Sequence, residues 1–162
     1  RVLPHPAPTA YCIPGRRSRV VLSQGVLDTL PPDQLDAVLA HEEAHLRARH
    51  DLLLEFFTVV HEAVPRPVRS EVALAEVRLL VEALADRAAV RRVGEVTTAR
   101  ALVALAGARA PEGGMPVGGP GAVAARVRLL GAGANRWLPV VAYTYAGAVL
   151  ALPVVLLVRA ST

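Results

Sequence analysis

Apolar residues recur every three or four positions along two stretches of the chain, and this spacing predicts two long helices. The first helix is predicted from about residue 32 to about residue 62, between the Pro31-Pro32 pair and the prolines at 65 and 67. It is strongly apolar toward its end, which indicates a central, well-covered element. The second is predicted from Ser70, which can cap its start, to about Val93, with Gly94 near its end.

Shorter elements surround these two helices. Two runs rich in β-favouring residues, 10–13 and 19–23, flank a Pro14-Gly15 turn and predict a hairpin. A third helix is predicted through residues 101–106 with Thr97 or Thr98 as its cap. Residues 1–9 alternate with proline and predict an extended linker. The chain is therefore expected to be mainly α-helical with a small β-hairpin.

The end of the chain has a different pattern. Residues 138–158 contain no charge, and Trp137 and Arg159 flank them. About 20 apolar residues cross the core of a bilayer, and Trp and Arg lie at its interfaces. We expect a transmembrane helix over 137–159, preceded over 111–136 by a Gly/Pro-rich loop and a short basic helix at 122–130. Arginines are more numerous before this span than after it, which predicts that the preceding residues lie in the cytoplasm.

The composition supports a membrane protein. The mean hydropathy is +0.40 and 53% of the residues are hydrophobic, which is high for a soluble domain. The net charge of +4 comes almost wholly from arginine, which we attribute to a GC-rich genome. Basic residues are not interleaved with aromatic ones as a base-stacking surface requires, so we expect no direct nucleic-acid binding. The single cysteine, Cys12, excludes a disulfide framework and a multi-cysteine zinc knuckle.

The first long helix carries the sequence His41-Glu42-Glu43-Ala44-His45, an H-E-x-x-H pattern. Residues four apart share one helix face, so both imidazoles can reach the same metal ion. Glu42 lies beside them and can take a proton from a water molecule at that ion. The pattern predicts a Zn²⁺ site with His41 and His45 as ligands and Glu42 as the general base, and one protein ligand remains to be found.

Two nearby histidines are excluded as the third ligand if the first helix is continuous. His50 would then lie about 140° away from the face of His45, and His61 would lie about 24 Å along the axis. We interpret both as surface groups or as groups that support a ligand. The second long helix offers Glu71, Glu76 and Glu82 as alternatives.

Glu82 is favoured because it forms a pair with Asp86. The two carboxylates are four residues apart in an otherwise apolar stretch, where burial requires a partner or a metal. We predict that Glu82 is the third ligand. Asp86 would orient a ligand histidine through its other ring nitrogen, or else would pair with an arginine such as Arg87 or Arg91.

H-E-x-x-H followed by this E-x-x-x-D resembles the gluzincin-type integral-membrane peptidases. These include HtpX-like and CAAX prenyl endopeptidases and the regulatory peptidases of the BlaR/MecR kind. The hairpin, the runs at 18–23 and 35–42, and the closing apolar segment are most similar to the BlaR/MecR group, over residues 8–158. The resemblance implies an α+β zincin-like metallopeptidase domain, which we place at 10–110, with His41, His45 and Glu82 as zinc ligands and Glu42 as the catalytic base.

The resemblance also implies location and function. We expect a multi-pass protein of the cell membrane whose N-terminal membrane helices precede this sequence and whose zinc domain is cytoplasmic. Its expected partners are the lipid bilayer and a protein or peptide substrate, such as a transcriptional repressor cleaved in signal transduction. No penicillin-binding sensor domain is visible, so β-lactam sensing is not implied. The alternatives are an HtpX-like quality-control protease and a signalling protein whose zinc domain no longer cuts; retention of Glu42 argues against the latter.

Overall fold

A computed structural model describes residues 1–15, 17–66, 69–108 and 120–131. Within them the chain forms three strands and six helices, and the mainly helical fold with a small sheet is the class that the sequence predicts. The elements are β1 (Val2–Leu3), β2 (Ala10–Ile13), β3 (Arg19–Ser23), α1 (Gln24–Thr29), α2 (Pro32–Ala48), α3 (His50–Ala63), α4 (Glu71–Val93), α5 (Glu95–Ala108) and α6 (Pro120–Gly131).

The predicted hairpin is present as β2 and β3, which pair antiparallel with Ala10 opposite Leu22. β1 pairs in parallel with the other side of β3, so the strand order is β1-β3-β2 and β2 is an edge strand. Val2–Leu3, within the segment predicted as an extended linker, therefore form a short strand of the sheet. Prolines prevent a long ladder there, but Val2–Leu3 still have free backbone groups that pair with β3.

The core lies between the sheet and the helices α1, α2, α4 and α5. The chain has few aromatic residues, so small and medium aliphatic side chains fill this core. Val26 at its centre is completely buried. The other buried members are Ala10, Leu22, Leu30, Ala37, Val38, Ala40, Ala89 and Ala101. The alanines on α2 and α4 allow these two helices to pack closely.

The first long helix is broken, which the sequence does not predict. α2 ends one residue before Arg49 and α3 begins one residue after it, and Arg49 is left-handed (φ 52°, ψ 46°). The N–H of Arg49 donates to the carbonyl oxygen of His45, which closes α2. A non-glycine residue in this conformation costs about 1–2 kcal/mol. The apolar periodicity continues across the break, which is why the spacing predicts one helix over 32–62.

The second long helix forms as predicted. The hydroxyl of Ser70 accepts a backbone N–H in the first turn of α4, and the helix ends at Gly94, whose φ is 88°. α5 then begins at once at Glu95, earlier than the expected cap at Thr97 or Thr98. Thr98 instead lies buried within α5, where its hydroxyl donates to the carbonyl oxygen of Gly94 (2.8 Å).

The predicted basic helix over 122–130 is present as α6, which packs against α4 and α5. It belongs to one compact unit that covers residues 1–131, whereas the sequence assigned 111–136 to a stretch beside the membrane. The transmembrane helix predicted over 137–159 lies outside the described residues. Among the helices that the structure describes, none is long and apolar enough to cross a bilayer.

Gly25 in α1 marks a close approach to the N-terminal segment, because a Cβ built on it would overlap the carbonyl oxygen of Pro6. We expect Gly25→Ala to lower the free energy of unfolding by about 1–3 kcal/mol, since the backbone must move. The control is Gly107→Ala in α5, where a Cβ meets no atom within 4 Å and helix propensity predicts a gain of about 0.5–1 kcal/mol. Urea unfolding measures both variants, and a stabilising Gly25→Ala would contradict the close approach.

Candidate metal centre

His41 and His45 meet on the face of α2 that is turned toward α4. Their Nε2 atoms are 3.1 Å apart. Their side chains are 14% and 13% exposed, so both rings are largely shielded from water. This placement follows directly from the spacing of four residues on a helix. The two nitrogen atoms therefore face a common point.

Glu82 on α4 reaches the same point. Its Oε2 atom is 3.5 Å from Nε2 of His41, and its Oε1 atom is 3.6 Å from Nε2 of His45. One candidate ligand atom from each of the three residues lies within 4.8 Å of the other two, and no other such group of three occurs in the part of the chain that the structure describes. The structure thus brings together the three predicted ligands. The alternatives Glu71 and Glu76 are exposed and lie outside this group.

Asp86 lies one turn further along α4 and is buried. Its Oδ1 atom is 2.9 Å from Nδ1 of His41, although the ring N–H is not aligned with an acceptor as in a regular hydrogen bond. The contact acts to raise the pKa of His41 and to lower that of Asp86. It determines which edge of the His41 ring faces Asp86, so that Nε2 of His41 faces Glu82. This is the placement that the sequence predicts for a residue orienting a ligand histidine.

The arginine that pairs with Asp86 is Arg126 of α6, a partner that the sequence does not predict. Its Nε and Nη2 atoms donate to the two carboxylate oxygens of Asp86 at 2.7 and 2.6 Å. Its Nη1 atom lies 3.0 Å from Oε2 of Glu82. Arg126 therefore bridges both carboxylates of the site. In the sequence, this ion pair is indicated only by the fact that a buried Asp86 requires a positively charged partner. Arg87 or Arg91 could equally be that partner.

The pKa values show how these charges are balanced. Burial acts to lower the pKa of His41, but the carboxylates of Asp86 and Glu82 outweigh it and raise that pKa to about 9. For His45, burial and the neighbouring His41 lower the pKa to about 4. Burial acts to raise the pKa values of Glu82 and Asp86, but His41 and Arg126 outweigh it and lower both. A metal ion binding here must therefore displace a proton from His41.

Glu42 contacts the edge strand β2. Its carboxylate lies near the thiol of Cys12. Burial, followed by the charge of Glu42, raises the pKa of the Cys12 thiol to about 11. The candidate general base thus lies between the two histidines in sequence and beside β2 in space.

The break at Arg49 changes the position of His50. The exclusion of His50 assumed a continuous helix, and that assumption is wrong. Nδ1 of His50 lies 3.0 Å from Nδ1 of His45, on the opposite side of the His45 ring from Nε2. His61, at the end of α3, instead has its Nε2 atom 3.0 Å from Oε1 of Glu71. His50 therefore touches a candidate ligand, while His61 lies outside the group.

The donor set fits zinc. Hydrolytic zinc sites use three nitrogen or oxygen ligands from the protein and leave one position open. Here Nδ1 of His41 and Nδ1 of His45 each face a neighbouring side chain, Asp86 and His50 respectively. Nε2 of each ring is thereby left for a metal, and the low pKa of Glu82 keeps its carboxylate ionised.

A family model, Peptidase family M48, matches residues 1–145. The chain belongs to peptidase family M48. The match extends over every element that the structure describes, including α6. Membership indicates that this M48 chain is a metallopeptidase and therefore a hydrolase, and the group of His41, His45 and Glu82 is compatible with the metal that such an enzyme needs. No curated protein and no solved structure matches the chain.

Cys12 is the single cysteine of this M48 chain, so its reactivity reports on the contact between β2 and Glu42. The rise of its pKa from 9.0 to about 11 lowers the thiolate fraction at pH 8 about a hundred-fold, which slows alkylation accordingly. We expect Glu42→Gln to speed alkylation by iodoacetamide, because the variant removes the charge. Glu43→Gln is the control and should leave the rate unchanged. Mass spectrometry follows both, and identical rates for Glu42→Gln and the wild type would refute the contact.

Proposed function

We propose that this M48 peptidase is a zinc-dependent endopeptidase. The observation that carries the proposal is the convergence of His41, His45 and Glu82 on one point, with Glu42 on the same helix as the histidines. Zinc held by these three ligands would polarise the scissile carbonyl group and make water more acidic. The proton transfers and the positioning of the ligands are assigned to side chains of the protein.

Glu42 acts as general base and then as general acid. It takes one proton from the attacking water, whose oxygen bonds to the carbonyl carbon, and delivers that proton to the leaving nitrogen as the C–N bond breaks. Asp86 holds the ring of His41 in the orientation that presents Nε2. Arg126 neutralises the buried charge of Asp86 and holds one oxygen of Glu82.

The edge strand β2 offers a binding surface for an extended substrate. It pairs with β3 on one side, and its Cys12 lies against Glu42. A peptide added as a further strand beside β2 would have its backbone hydrogen-bonded close to the general base. Recognition through backbone groups suits cleavage within a chain, because it requires no free terminus.

We further propose that the enzyme is anchored in the cell membrane and acts on a cytoplasmic regulatory protein, such as a transcriptional repressor. The uncharged run 138–158 and the arginines that precede it support the anchor. The resemblance of the motifs to the BlaR/MecR peptidases supports a regulatory substrate. An HtpX-like quality-control role would use the same residues and would differ by accepting many unfolded proteins.

The role of Glu42 is tested by Glu42→Gln in the full chain. We expect zinc to bind as in the wild type while hydrolysis falls by about 100-fold or more, because the amide cannot accept the proton. A proteome-derived peptide library, read by mass spectrometry, reports cleavage even when the physiological substrate is unidentified. Glu43→Gln is the matched control, because the Glu43 carboxylate pairs with Arg92 at the surface (3.2 Å). Cleavage by Glu42→Gln at the wild-type rate would refute the mechanism.

The ligand role of Glu82 is tested by Glu82→Ala. Loss of one of three protein ligands should leave the purified protein with substoichiometric zinc, because the remaining pair of histidines binds much more weakly. Elemental analysis by mass spectrometry measures the zinc content. Glu76→Ala removes an exposed carboxylate from the same helix and should keep full occupancy. Full occupancy in Glu82→Ala would show that the third ligand lies elsewhere.

A further inference from the structure

We propose that His50 is the positioning residue for the candidate ligand His45. Its Nδ1 atom accepts a hydrogen bond from the Nδ1–H group of His45, and this hydrogen bond orients the His45 ring so that Nε2 faces the metal. The inference rests on the proposed zinc site and on one juxtaposition, the 3.0 Å distance between the two Nδ1 atoms.

The direction of this hydrogen bond follows from which nitrogen of His45 binds the metal. A neutral imidazole has one N–H donor and one acceptor nitrogen. If His45 binds zinc through Nε2, its proton must lie on Nδ1, and the atom 3.0 Å away must accept it. His50 is then neutral, with its own proton on Nε2. His50 is a buried residue, with 5% exposure, and burial favours this uncharged acceptor over a charged imidazolium.

The backbone is built to bring His50 to this place. On a continuous helix His50 would lie about 140° from the face of His45. The left-handed conformation of Arg49 redirects the chain at the one residue between the two helices. Strained conformations of this kind persist where the surrounding structure and function require them. Arginine has no intrinsic preference for this conformation, so the strain marks the position as one that the fold enforces.

His50 acts on the ligand and is not itself a ligand. It faces Nδ1 of His45, while the metal position faces Nε2. It is also absent from the group of three residues whose ligand atoms converge. A neutral acceptor at this position has a specific advantage, because Glu42, Glu82 and Asp86 already concentrate negative charge around the site. A carboxylate behind His45 would add a further negative charge to this group.

The test compares two substitutions in the full-length chain. His50→Asn keeps an acceptor, since the amide oxygen of Asn occupies roughly the place of Nδ1, and His50→Ala removes it. Competition with a chromophoric chelator measures zinc affinity. We expect His50→Ala to bind zinc about 10–100-fold more weakly, the usual effect of losing a partner of a ligand histidine. His50→Asn should recover most of that loss. His61→Asn, a buried histidine paired with Glu71, is the control and should bind zinc like the wild type.

A second measurement needs no variant and covers the case in which His50→Ala does not fold. Long-range ¹H–¹⁵N spectra of histidine-labelled, zinc-loaded wild-type protein should show His45 protonated on Nδ1 and His50 protonated on Nε2. The opposite tautomer of His50, or unchanged zinc affinity in a folded His50→Ala, overturns the inference while the zinc site stands. A wild-type protein that binds no zinc overturns the proposed function and this inference together.

Discussion

The packing of α2 against α4 is the constraint on which the site depends. Where the two helices meet, Ala44 on α2 and Ala85 and Ala88 on α4 form a buried cluster. Small side chains let two helices approach closely. The carboxylates of Glu82 and Asp86 can then reach the imidazoles on α2, although neither side chain is long. The alanines at this contact therefore allow the face of α4 that carries the carboxylates to approach the face of α2 that carries the histidines.

This close packing buries charge, and the site is arranged to keep that charge balanced. Without metal, protonated His41 and Arg126 together match the negative charges of Glu82 and Asp86. Replacing the proton of His41 by a divalent cation adds one positive charge to these four groups. The carboxylate of Glu42 lies close enough to raise the pKa of Arg126, so it can balance the added charge. The proposed role of Glu42 as general base and its contribution to the charge balance thus depend on the same placement.

The sequence predicts the parts of the site that depend on helical periodicity. H-E-x-x-H and the E-x-x-x-D pair each place two residues on one face of one helix, and α2 and α4, which carry them, lie within the ranges that the apolar pattern predicts. The break at Arg49 was not predictable, because apolar spacing continues across it and arginine carries no signal for a left-handed residue. Helical periodicity consequently places His50 away from His45, although the two rings are in contact. Apolar periodicity indicates which face of a helix is buried. It does not indicate a single residue at which the backbone leaves the helical conformation and the chain changes direction.

The role of Arg126 was missed for a different reason, its distance in sequence from its partner. It follows a Gly/Pro-rich stretch and lies 40 residues after Asp86, so no local pattern connects the two. A domain boundary at residue 110 would leave the Asp86 carboxylate buried without its two charge-assisted hydrogen bonds. Breaking a buried ion pair in this way costs about 3–5 kcal/mol. α6 is therefore part of the structure that holds the candidate metal ligands in place, and a peptidase unit that ends before it lacks the positive charge that balances the buried carboxylate of Asp86.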